Sequence, residues 1–98
     1  MRLRLTREAE ADLDAAYAWY REQSYGLGDA FLRSVDACLA SIDREPEAYQ
    51  LIDRTMQRAL LRRFPYGVFF EVAATEIIVY GAFHCARDPE VWRRRRDA

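Results

Sequence analysis

Apolar and polar positions change their spacing repeatedly along this 98-residue chain. Arg2-Leu3-Arg4-Leu5 alternates, which predicts a short strand with Leu3 and Leu5 facing inward. From Arg7 to about Glu22 the period becomes helical, with Ala9, Leu13, Ala16, Tyr17 and Tyr20 on one stripe and Trp19 on its flank. Thr6 suits the N-cap, and Glu8 and Glu10 suit the positive end of that helix. Gln23 to Gly28 supplies turn residues. A second helix is then predicted to about Glu45, with Leu27, Phe31, Val35, Cys38, Leu39 and Ile42 as its apolar stripe and Pro46 just beyond it. So short a connection makes the two helices an antiparallel hairpin.

Beyond Pro46 the helical period is lost. Residues 46–53 read as an irregular connection, and 57–64 as a strand whose alternation is blurred by Leu60-Leu61. Residues 67–72 read as a strand with Val68, Phe70 and Val72 on one face, and 77–83 as a β-branched strand after a turn at 73–76. Asp88-Pro89 predicts the start of a short terminal helix carrying Val91 and Trp92. Phe64-Pro65-Tyr66 places a proline at a strand end with aromatics covering the core. The expected class is α+β, in the order βααβββ(α): a helical hairpin on one face of a small, mostly antiparallel sheet. Residues 1–98 are read as one domain, with 87–98 as its terminal helix and basic tail.

Charge sharpens this picture. All fifteen basic residues are arginine, and residues 1–53 carry a net charge of −5 against +4 for residues 54–98. An acidic first half and a basic second half imply two faces with different partners. The near-neutral total argues against a surface that attracts phosphate everywhere. No apolar run approaches the roughly 18 residues of a membrane span, so a cytoplasmic protein with no membrane partner is expected. Cys38 lies on an apolar stripe as a small hydrophobe, and a disulfide to Cys85 is not expected. His84-Cys85 are strand neighbours aimed at opposite faces, a poor chelating pair, and neither a metal nor a cofactor is expected.

The remaining chemistry is arginine. Arg58, Arg62 and Arg63 fall on the predicted second strand and Arg87 at the end of the last one, where their forks could meet phosphates or carboxylates from one sheet face. A solvated, salt-bridged sheet edge is the competing reading. His84, the only histidine, reads as a structural residue beside the Arg-Asp corner, and Arg93 to Arg96 as a disordered, charged tail.

Arg62-Arg63-Phe64-Pro65-Tyr66 entering an aromatic strand, and His84-x-x-Arg87-Asp88-Pro89 closing the last one, resemble the ParE/RelE superfamily of type II toxin–antitoxin modules. Thr6-x-x-Ala9 and Gly26-Leu27-Gly28-Asp29-x-Phe31-Leu32 are similar to it as well, so the likeness spans nearly the whole chain. The resemblance implies a cognate antitoxin that wraps the toxin in a hetero-oligomer, with operator DNA met only through the antitoxin. RelE-like members are ribosome-dependent mRNA endonucleases; ParE-like members poison DNA gyrase by binding. The nuclease's strand-opening arginine corresponds here to Gly67, and its terminal-helix tyrosine falls near Trp92, a donor without acid–base capacity. The resemblance therefore favours a ParE-like, non-enzymatic gyrase inhibitor, with Arg58, Arg62, Arg63, Arg87 and Trp92 contacting target or antitoxin. The alternative is a RelE-like endonuclease using Arg87, His84, Arg62 and Arg63. A third reading is a degenerate, non-toxic relative kept for antitoxin titration or DNA-bound regulation.

Overall fold

The computed structural model describes residues 1–97. Strand β1 (Arg2–Leu5) leads into helices α1 (Arg7–Gln23) and α2 (Leu27–Arg44). A 3-10 turn at Pro46–Ala48 follows, then β2 (Gln50–Asp53), β3 (Met56–Leu60), β4 (Tyr66–Val72), β5 (Glu76–His84) and helix α3 (Glu90–Asp97). The five strands form one sheet in the order β1-β5-β4-β3-β2. Only β1 and β5 run parallel; the other neighbours are antiparallel.

The α1–α2 hairpin covers one sheet face because its stripes carry the side chains that need burial. Phe31 and Ile42 from α2 and Ala9 and Ala16 from α1 close over Val68, Phe70, Ile77 and Val79. Tyr20 stacks on Phe31 and meets Phe64 edge-on at 4.9 Å, so the Phe64-Pro65-Tyr66 corner seals one end of this core as its composition implied. Cys38 and Cys85 are free thiols, and burial pushes the Cys38 thiol up to about 11. The opposite sheet face is covered by α3. Trp92 stacks on Phe69 and joins Met56 and Phe83 in a second, smaller cluster. Strand β4 is thus buried on both sides, which its run of adjacent apolar residues anticipates.

Four expectations are corrected. Residues 50–53, read as irregular, form β2, an edge strand paired with β3. The blurred strand at 57–64 stops at Leu60, so Arg62 and Arg63 lie in the segment between β3 and β4 rather than on a strand. Backbone pairing still closes that segment, since the Leu61 N–H donates to the Tyr66 carbonyl at 3.0 Å. Arg93 to Arg96 are not a solvated tail but half of the eight-residue α3, and the guanidinium groups of Arg93, Arg95 and Arg96 reach back to Asp53 and Asp12; Ala98 lies outside the described residues. Trp92, expected at a contact surface, is only 6% exposed.

The upper half of β5 explains why α3 is held in place. Strand β1 pairs with Glu76 to Val79 only, so the rest of that edge needs other partners. A β-bulge in β5, opposite Phe69 and Phe70, leaves Tyr80 outside the ladder. Its carbonyl accepts from Arg95 Nη1 at 2.9 Å, and the next free amide, Ala82 N–H, donates to Asp12 Oδ2 at 3.1 Å. Arg95 also grips both oxygens of Asp12, at 3.0 and 3.1 Å. Arg93 and Arg96 reach Asp53 on β2 at 3.4 Å, so α3 is tied to both sides of the sheet.

Gly81 sits under this tie. A Cβ there would lie 2.6 Å from the Phe83 ring and 3.0 Å from Asp12 Oδ2. Phe83 cannot swing freely, because Arg87 and Arg95 lie over its ring at 5.7 and 4.8 Å. Gly81→Ala is therefore expected to cost about 1–3 kcal/mol in chemical denaturation through overpacking. An unchanged midpoint would show that the ring gives way without cost.

Candidate functional site

Two concave surfaces carry the candidate side chains. The first, of about 270 Å³, is bounded by Asp12 and Trp19 of α1, Tyr66 of β4, His84 at the end of β5 and Arg87 in the turn that follows it. Trp19 is 58% exposed, and the Tyr66 ring meets the His84 ring edge-on at 5.5 Å. Burial pushes the Tyr66 phenol up, and the nearby Arg87 guanidinium pulls it back only in part. That phenol is protonated at neutral pH and serves as a donor. The His84 Nδ1 accepts from the Ala86 N–H at 3.1 Å, which assigns the proton of the neutral ring to Nε2. Its acceptor nitrogen is committed to the turn, and the outward nitrogen can only donate.

The second surface is an open groove of about 590 Å³ between α2 and the segment from Leu60 to Phe64. Its α2 wall carries Arg33, Ser34, Ala37, Ser41 and Arg44, near one face of the helix. Small side chains there leave room for a groove. The other wall presents Arg62 and Arg63 with Leu60 and Tyr49. Ser34 Oγ donates to the Arg62 carbonyl at 2.8 Å and Tyr49 donates to Ser41 at 2.5 Å, pinning opposite ends of the wall to α2. Arg63 adopts φ 71°, the left-handed region that costs a non-glycine residue about 1 kcal/mol.

The four arginines predicted to share a sheet face do not meet. Arg87 and His84 line the first surface, and Arg62 and Arg63 the second. Arg58 is on neither; its stem fills the space beside Gly67, where a Cβ would fall 3.2 Å from Arg58 Cγ and Cδ. Arg33 and Arg44 were missed from the sequence, although their spacing with Ala37 and Ser41 on a helix already puts them on one side. Asp12 was missed too, since its partners lie 70 and 83 residues away. Among the described residues no group of three His, Cys, Asp or Glu side chains could hold a metal ion, and no helix is long and apolar enough to cross a membrane.

A helical hairpin and a terminal helix on opposite faces of a five-stranded, mostly antiparallel sheet make this an α+β domain of the ParE/RelE-like kind. Residues 3–89 match the family described as ParE toxin of type II toxin-antitoxin system, parDE, and the chain belongs to that family. Among solved structures, the chromosomal ParDE TA system from P. aeruginosa is similar, with a TM-score of 0.64 and 23% sequence identity over 86% of this chain and 95% of that one. That likeness is one of fold. The comparison with curated proteins finds no match.

Proposed function

We propose that this ParE-family toxin acts by binding and inhibiting DNA gyrase, without catalysis of its own, and that a cognate antitoxin neutralises it in a hetero-oligomer. Operator DNA is met through the antitoxin, and the setting is the cytoplasm. The observation that carries this reading is the dispersal of the nuclease candidates over two surfaces. General acid–base cleavage needs an acid and a base within reach of one phosphate. Here His84 has its acceptor nitrogen engaged, Tyr66 is held in its neutral form, and Arg62 and Arg63 belong to the other groove. Gly67 brings no cation to the strand, and Trp92 is buried between α3 and the sheet.

One observation favours the RelE-like alternative: Arg87, His84 and Tyr66 line a single depression. Arg87→Ala separates the two readings. In a nuclease, losing a contact to the transition state costs about 10²–10³ in rate. In a binding toxin, losing one exposed arginine weakens association by about 1–2 kcal/mol and leaves toxicity partly intact at high expression. In a purified translation system the native chain is expected to leave ribosome-bound message uncut. Site-specific cuts that vanish in Arg87→Ala would establish the nuclease instead.

A further inference from the structure

We propose that the groove between α2 and the Leu60–Phe64 segment is the seat of an acidic, amphipathic helical segment of the antitoxin. This inference rests on the antitoxin reading above and adds where the partner docks and what chemistry it carries. Arg33, Arg44, Arg62 and Arg63 all line the groove, all are exposed, and no Asp or Glu shares the lining with them. None of the four takes part in an ion pair among the described residues. The contrast with α3 is informative, since Arg93, Arg95 and Arg96 each have a carboxylate partner there.

Four like charges along one open groove repel one another, and carboxylates from outside would relieve that repulsion while gaining bidentate hydrogen bonds. Between the charges the lining is apolar or small: Leu60, 58% exposed at the lip, then Ala30, Ala37, Cys38 and Phe64. From Arg33 to Arg44 the α2 wall runs about 16 Å at 1.5 Å per residue, the length of about three helical turns. The matching occupant is a helix of that length with an apolar stripe on the floor and acidic residues on both flanks. A nucleic acid would use the arginines but waste the apolar lip and floor.

Arg63 adds an independent sign. Its left-handed backbone would suit glycine better, yet the position holds a guanidinium at the groove's edge. A costly residue on a binding surface points to a role outside the free fold. It also supplies a clean test, because Arg63→Gly removes the charge and relieves the strain together.

The test uses the full chain and, as probe, the product of the open reading frame adjoining its gene, titrated calorimetrically at low and high salt. Arg63→Gly is expected to keep or raise the melting temperature while weakening the complex several-fold. Arg33→Glu with Arg62→Glu should weaken it by about 100-fold or more and flatten the salt dependence, whereas Arg7→Glu on the exposed start of α1 should leave affinity unchanged. Unaltered affinity in the groove variants would overturn the proposed seat and leave the antitoxin reading standing. No complex with the native chain would remove the antitoxin reading and the seat with it. A duplex oligonucleotide that binds the native chain and is lost only in the groove variants would reassign the groove to nucleic acid.

Discussion

Phe70→Ala is expected to remove about 3–5 kcal/mol of unfolding free energy, a large share of the stability of a domain this size. Phe70 is fully buried near the middle of β4, flanked by Gln57 on β3 and Val79 on β5. Its ring meets Tyr49 edge-on at 5.9 Å and closes the floor beneath α2. Neighbouring strands fix the backbone on both sides, so the cavity left by alanine cannot collapse and the loss should sit at the upper end. Urea unfolding measures it directly. A loss below about 1 kcal/mol would place Phe70 on a surface that relaxes, contrary to the register of the sheet.

Asp12→Ala is expected to cost about 2–4 kcal/mol, although it deletes one polar side chain at a helix surface. Its carboxylate is the acceptor for the Ala82 amide and for both arms of the Arg95 fork. The Asp12 and Arg95 side chains are only 18% and 22% exposed, so removing one leaves the other poorly solvated. Asp12→Asn should lose less, since its carbonyl still serves the Ala82 amide. A double-mutant cycle with Arg95→Ala should show a coupling above about 1 kcal/mol. Additive effects would mean that the Asp12–Arg95 pair does not hold α3, leaving Trp92 and the Asp53 contacts to do so.

Legibility in the sequence followed the range of the forces involved. The stripes of α1 and α2 and the burial of Phe31, Val35, Cys38 and Ile42 were readable because helical period and core face coincide locally. The inward phase of Val68 and Phe70 was readable for the same reason, although Val72, at the sheet's end, is 37% exposed. Gln50-Leu51-Ile52-Asp53 gave no alternation, because an edge strand with neither face fully covered places no such demand on its residues. Leu60-Leu61 misled because one is exposed and the other buried where the strand stops, which moved Arg62 and Arg63 off the sheet. The β5 bulge is similarly invisible locally. A period-two count from Val79 puts Phe83 on the hairpin face, whereas the bulge turns it beneath α3 and aims Ala82 at α1.

The terminal arginines illustrate the limit most sharply. Four in a row have the composition of a solvated tail, and their carboxylate partners Asp12 and Asp53 lie 83 and 43 residues away. No local pattern encodes such a pairing. For the candidate side chains the sequence offered residue type only: Arg62, Arg63, Arg87 and His84 were singled out by it, and their division between two surfaces depends on where β3 ends.

The proposed mode of action stands or falls on one assay. Purified gyrase is incubated with relaxed plasmid, ATP and increasing amounts of this chain, and supercoiling is followed on a gel. A binding inhibitor predicts dose-dependent loss of supercoiling, relieved by adding the antitoxin. Undiminished supercoiling at saturating toxin, together with discrete cuts in ribosome-bound message, would contradict it.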